Sequence, residues 1–86
     1  MATPRLSIVQ RHECELCEQM LAELQRLGLE RPLPPIEILD VDADPELTRR
    51  HGLHVPVLLL DGVVVCRHRL DRPELERLLR GHPRGV

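Results

Sequence analysis

Two cysteines separated by two residues lie where a strand-like segment passes into a helix-like one. A strand-like run at residues 6–9 precedes Cys14 and Cys17, and leucines at helical spacing continue to residue 27. Because residues three positions apart on a helix lie one turn apart on the same face, the two thiols are held close together. This arrangement suits a dithiol that closes to a disulfide and opens again.

The length and composition of the chain predict one small domain over residues 1–86. The 86 residues include no Phe, Tyr or Trp, so the core must be built from Leu, Val, Ile and Met. The net charge of −2 and the scattered arginines give neither a basic stripe nor an aromatic platform, which argues against a nucleic-acid partner. No signal peptide or membrane-spanning run is recognisable, and we expect a cytoplasmic monomer with no membrane partner.

The remaining chain alternates strand-like and helix-like segments. Gly28 is predicted to end the first helix, Asp44 to cap the second and Asp71 to begin the third with a capping-box-like sequence. Asp61 and Gly62 form a strong two-residue hairpin signal. The order βαβαββα therefore predicts an α/β fold with a four-stranded mixed sheet and helices on both faces, followed by a frayed tail at 82–86. The predicted strands are residues 5–10, 36–41, 57–60 and 63–67, and the predicted helices begin near residues 16, 45 and 72.

The helix start explains why a thiol here would react. Unpaired N–H groups and the positive end of the helix dipole stabilise a thiolate, which is the nucleophile in disulfide exchange. We expect Cys14, at the helix mouth, to be the attacking thiol and Cys17, one turn inside, to be the resolving thiol. The carboxylates of Glu13, Glu15 and Glu18 crowd the same helix start and oppose the dipole. The two effects nearly cancel, so only mild activation is expected.

The second notable feature is the Val55-Pro56 pair at the start of a strand. Proline has no N–H and is confined to the first residue or the edge of a strand. A cis bond would direct the Val55 backbone at whatever lies opposite, whereas a trans bond would simply open the strand. The residues alone leave both conformations open.

Together these features resemble the glutaredoxin branch of the thioredoxin fold, and in particular small glutaredoxin-like proteins. The resemblance rests on the Cys14–Cys17 motif and on the segment from Val55-Pro56 through the hairpin turn, and it covers residues 5–80. It implies a thioredoxin-like fold, a cis Pro56, and Val55 backbone groups that bind a thiol peptide. It also implies that Arg11 partners the thiolate or a substrate carboxylate, and that the substrate is a disulfide-bearing protein or a glutathione mixed disulfide.

The chain departs from the glutaredoxin pattern where the family binds glutathione. Glutaredoxins carry Gly-Gly after the hairpin, whereas Cys66 and Arg67 stand here, and Asp71 comes a few positions late. Arg67 or Arg69 could replace that backbone contact with side-chain charge. We therefore expect no bound cofactor, with glutathione as a possible co-substrate.

Other functions remain open from the sequence. A metal site would gather Cys14, Cys17 and Cys66 with His12 or His68, although this spacing lacks a second close ligand pair. A thioredoxin-fold adaptor would use the Val55-Pro56 groove to hold a partner while the dithiol stays inert. The remaining side chains are expected to be ordinary: Cys66 a small apolar strand residue, His51 and His54 without a role, and residues 67–69 a solvated strand end.

Overall fold

Eight short elements make up the part of the chain that the structure describes. In this computed structural model, residues 3–81 are described, and within them no helix is long and apolar enough to cross a bilayer. The predicted tail at 82–86 lies outside the described residues. The elements are β1 (Leu6–Gln10), α1 (Glu15–Glu30), β2 (Ile36–Asp40), a 3-10 turn (Val41–Ala43), α2 (Pro45–His51), β3 (Val57–Leu60), β4 (Val63–Arg67) and α3 (Arg72–Gly81).

The strands form one mixed sheet in the order β2-β1-β3-β4. β1 is parallel to β2 and antiparallel to β3, and β3 is antiparallel to β4. Asp61 and Gly62 join the last two strands with positive φ values of 51° and 83°, as a type I′ hairpin turn requires. The parallel pair, the hairpin and the predicted bounds of β3 and β4 are confirmed.

The core consists of two aliphatic layers on opposite faces of the sheet. Leu6 and Ile8 point toward α1 and α3, where Leu24 and Leu75 are fully buried, while Val9 points to the other face. The second layer contains Val9, Val41, Val57 and Leu59, with Leu47 of α2 packed against it. This alternation along β1 follows the two-residue period of a strand. Helices on both faces, as the sequence predicts, are therefore confirmed.

The first helix extends further than Gly28, where the sequence predicted its end. The helix continues to Glu30, and Arg31 adopts extended backbone angles of −154° and 153° while its N–H still bonds to the Leu27 carbonyl at 3.0 Å. Pro32 explains this end, because the residue before a proline is driven out of the helical region. Gly28 itself is exposed in the last turn and needs no special conformation.

Two strand boundaries differ by one residue from the prediction, and the predicted start of α3 is present. β1 begins one residue later than expected, at Leu6, and β2 ends one residue earlier, at Asp40. The side chain of Asp40 accepts the Asp42 N–H at 2.9 Å, which turns the backbone into the 3-10 segment. Asp71 accepts the Glu74 N–H at 3.1 Å, so the predicted cap of α3 is present.

Candidate active site

The two cysteines form a disulfide at the beginning of α1. Cys14 is the N-cap residue, and its Sγ accepts the Cys17 N–H at 3.2 Å. The Cα atoms lie 5.2 Å apart, within the ordinary range for a disulfide. Cys17 is only 1% exposed, whereas Cys14 is partly exposed. An approaching thiol therefore meets Cys14 first.

The acidic residues at this helix start carry uncompensated charge. Glu13 has a left-handed φ of 54°, and Glu13, Glu15 and Glu18 are all exposed. Among residues 3–81 none of the three forms an ion pair or a side-chain hydrogen bond. They therefore surround the disulfide with negative charge on the α1 side, as the sequence indicates.

The Arg11 side chain, which the resemblance assigns to the thiolate or a substrate carboxylate, is bonded here to residues of the chain itself. Its guanidinium bonds to both oxygens of Asp42, at 2.9 and 3.1 Å, and to the Gly52 carbonyl at 3.0 Å. The hydrogen bond from Arg11 lowers the pKa of the Asp42 carboxyl below its ordinary value, against some desolvation. Next to it, His12 Nε2 lies 3.4 Å from a carboxylate oxygen of Asp40.

The Pro56 loop lies at the same end of the sheet as the cysteines. The Val55-Pro56 peptide bond is cis, Pro56 is buried, and its carbonyl accepts the His68 N–H at 2.8 Å. Val57, the residue after Pro56, is opposite Val9 of β1. The cysteine loop, which leads to Cys14, begins directly after β1 ends at Gln10. The sheet register thus brings the cysteine loop and the Pro56 loop to the same end of the sheet.

Three histidines, His51, His54 and His68, lie near this loop, although no role is predicted for His51 and His54 from the sequence. The ring centroids of His54 and His68 lie 6.0 Å apart in an edge-to-face arrangement. His51 Nδ1 is buried and has no hydrogen-bond partner in the described part of the chain. Burial lowers the pKa of His51, and nearby positive charge, first that of Arg67, lowers it further. Counting outward from the Asp61-Gly62 turn places residue 68 opposite Val55, but a register shift between Leu58 and Leu59 moves it by one residue, opposite Pro56.

Cys66 and Arg67 lie at the end of β4, where the family pattern has glycines. Cys66 is a free, partly buried thiol, as expected of a small apolar residue. It packs against the core layer that contains Leu6 and Ile8. Burial raises the pKa of the Cys66 thiol, while a backbone hydrogen bond from Asp71 lowers it to a smaller extent. Across residues 3–81, the structure assembles no group of three His, Cys, Asp or Glu side chains able to hold a metal ion. The ligand set of the alternative metal site is therefore not brought together.

The chain is similar to several proteins of known structure. Protein Ne2328 from Nitrosomonas europaea is 28% identical with a TM-score of 0.79, over 90% of this chain and 92% of that one. Protein XcR50 from X. campestris is also 28% identical with a TM-score of 0.62, over 91% and 99% of the two chains. No curated protein sequence matches the chain.

More distant similarity identifies the fold. Thioredoxin 1 from Thermosipho africanus is 20% identical with a TM-score of 0.57, and the match covers 88% of this chain and 94% of that one. This similarity shows a thioredoxin-like α/β fold. The model of one family, described as a glutaredoxin-like domain (DUF836), matches residues 5–80, which contain both the Cys14–Cys17 pair and the Pro56 loop. The chain therefore belongs to the glutaredoxin-like domain family (DUF836).

Proposed function

We propose that the protein is a thiol–disulfide oxidoreductase that reduces protein disulfides or glutathione mixed disulfides with the Cys14–Cys17 dithiol. One observation carries this proposal: the two sulfurs are bonded at a helix N-terminus, and the partly exposed residue of the pair is Cys14. A helix N-terminus stabilises the thiolate that must attack and later leave. The core holds Cys17 in place behind it.

The proposed reaction consists of two exchanges. The Cys14 thiolate attacks one sulfur of the substrate disulfide, forms a mixed disulfide with it and expels the other substrate sulfur as a thiolate. The Cys17 thiolate then attacks Sγ of Cys14, which releases the second substrate thiolate and forms the Cys14–Cys17 disulfide. The substrate gains two electrons and the dithiol loses two. Two donor thiols, such as two glutathione molecules, return the pair to the dithiol by the reverse chemistry.

The surrounding residues take the following proposed roles. Backbone groups of Val55 and the face of Pro56 bind the substrate segment beside the attacked sulfur, and Arg67 binds substrate from the end of β4. Arg11, which binds Asp42 and the Gly52 carbonyl, links the cysteine loop to the segment before Pro56, and from there it would reach a substrate carboxylate. We also propose a cytoplasmic location, because a working dithiol needs a reducing supply of electrons.

The proposal is tested by reduction of insulin and of a glutathione mixed disulfide, with glutathione or a thioredoxin reductase system as the donor. Wild type should be active with at least one donor, and Cys14→Ser should be inactive with both. Cys17→Ser should accumulate a mixed disulfide through Cys14 that mass spectrometry detects. Cys66→Ser is the matched control and should retain the activity of wild type.

A redox titration separates this function from an adaptor with an inert dithiol. An oxidoreductase should interconvert its two forms between about −180 and −270 mV, the range of glutaredoxins, thioredoxin and disulfide isomerase. A pair that stays in one form across this range, together with no reduction by wild type, would contradict the proposed activity and favour the adaptor.

A further inference from the structure

We propose that Arg67 and Arg69, with His54 and His68, form a carboxylate-binding subsite for the disulfide substrate; we call these four residues the basic cluster. This inference rests on the proposed function and adds a substrate preference to it. The protein would act best on disulfides that carry a carboxylate on one side of the attacked sulfur. The carboxylate would come from an acidic side chain of the substrate or from glutathione.

The charge of the basic cluster is not neutralised within the described part of the chain. Most arginines there contact a carboxylate, on the helices, at the sheet ends and in the loops. Arg67 and Arg69 form no ion pair and no side-chain hydrogen bond among residues 3–81, and both are exposed. An arginine fork is suited to bind a carboxylate with two parallel hydrogen bonds. These two forks are therefore open to a carboxylate from another molecule.

The basic cluster flanks the loop that the proposed function assigns to the substrate. The His68 N–H bonds to the Pro56 carbonyl at 2.8 Å, and the His54 ring meets the His68 ring. Arg67 pairs with Val57, which in turn pairs with Val9 on the strand that leads to Cys14. The cluster and the cysteine loop thus lie at the same end of the sheet, and Arg67 is two strands away from β1.

The sheet spacing sets the reach of the subsite. Neighbouring strands are about 4.8 Å apart, so Arg67 lies roughly 10 Å across the sheet from β1. An extended peptide advances about 3.3 Å per residue. For a substrate cysteine that lies over the end of β1, where the cysteine loop begins, the carboxylate is expected about three residues away.

The charges on the other side of the disulfide have the opposite sign. Glu13, Glu15 and Glu18 are exposed and have no cationic partner within residues 3–81. They repel a carboxylate that approaches the α1 side, while the basic cluster attracts one on the β4 side. Complementary charge of this kind determines orientation and partner choice more than it determines affinity. An acidic residue should therefore help on only one flank of the substrate cysteine.

The test uses a set of short peptides, each joined through its single cysteine to a chromogenic aromatic thiol. Glu, Gln or Lys is placed three residues before or three residues after the cysteine, and kcat/KM is measured at 20 and 300 mM NaCl. Wild type should prefer Glu over Gln on one flank by roughly threefold to tenfold at low salt. The preference should shrink at high salt, where charges are screened over a few ångströms.

Charge-removing variants assign the preference to the cluster. Arg67→Gln with Arg69→Gln should remove the Glu-over-Gln preference. Arg26→Gln with Arg80→Gln removes two exposed arginines of α1 and α3 that also have no carboxylate partner in the described residues, and it should leave the preference intact.

The same measurements distinguish a peptide carboxylate from that of glutathione, and failure of the subsite from failure of the proposed activity. If wild type shows no peptide preference but the Arg67 and Arg69 variant selectively loses reduction of a glutathione mixed disulfide, the carboxylate bound is that of glutathione. Equal rates for all peptides and for glutathione in both proteins would overturn the subsite while leaving the oxidoreductase standing. Failure of wild type to reduce any of these disulfides would instead overturn the proposed function.

Discussion

Arg11 and Asp42 form a two-point ion pair, with Nε 2.9 Å from one carboxylate oxygen and Nη2 3.1 Å from the other. The remaining nitrogen of Arg11, Nη1, donates to the Gly52 carbonyl at 3.0 Å. One side chain from the cysteine loop therefore contacts both the 3-10 turn after β2 and the end of α2. This connection joins the segment that carries Cys14 to the segment that leads into Pro56.

Arg11→Gln is expected to loosen the loop at residues 52–57, because glutamine cannot reproduce the fork that reaches two partners. Amide hydrogen exchange in this loop should become about threefold to tenfold faster, with little change in the core strands. Arg5→Gln, which removes the Arg5–Glu37 ion pair at the other end of the sheet, is the matched control. Equal acceleration of the loop in both variants would show that Arg11 has no local role.

The Arg11 contact also shows where prediction from the sequence ends. The strand and helix types, the hairpin turn and the cap at Asp44 follow from local signals, since Pro, Gly and Asp each favour particular backbone angles. The Arg11–Asp42 pair has no local signal. It joins residues 31 positions apart, and it depends on β1 lying parallel to β2 in one particular register.

The end of α1 shows a second limit, which is competition between two local signals. Gly28 and Pro32 both favour a helix end, and the sequence alone does not say which one acts. In the structure the helix passes through Gly28, and Arg31 leaves the helical region before Pro32. The position of the Cys14–Cys17 pair was predictable because no second signal competes at the start of the helix.

Two glycine substitutions should have opposite effects on stability. A β-carbon at Gly52 would lie 2.5 Å from the Thr48 carbonyl oxygen, so Gly52→Ala forces the backbone to shift and should cost about 1–3 kcal/mol. A β-carbon at Gly28 would meet only Leu33 Cδ1, at 3.8 Å, within a helix. Gly28→Ala should therefore stabilise the protein by about 0.5–1 kcal/mol. Urea unfolding of both variants measures the two changes, and the same sign for both would contradict this assignment.

The stability of the folded protein should rise between about pH 5 and 7 because of His51. Burial and the charges of Arg67, Arg50 and His54 lower its pKa in the folded state. The unfolded chain, whose histidine pKa is about 6.5, therefore binds more protons as the pH falls through that value, and stability is lost. Carboxylates whose pKa is lowered by arginine partners titrate below this window.

Thermal unfolding across this pH range measures the contribution of His51. His51→Gln should flatten the rise in midpoint temperature, since the side chain no longer binds a proton in the unfolded state. His12→Gln is the control, because His12 is exposed at the surface. An unchanged slope in the His51 variant would assign the dependence to other groups.

Leu24→Ala should be among the most damaging single changes, because Leu24 is fully buried between α1 and the sheet. Truncating a buried leucine removes its transfer free energy and leaves a cavity, at a cost of about 2–5 kcal/mol. That is a large part of the roughly 5–15 kcal/mol that stabilises a typical domain. Leu29→Ala on the same helix truncates a side chain that is 88% exposed and should change stability by no more than about 0.5 kcal/mol. Urea unfolding of both variants, with Cys14 and Cys17 kept reduced, compares packing alone. Similar losses in the two variants would mean that α1, and with it the dithiol, is not held in place by the aliphatic layer beneath it.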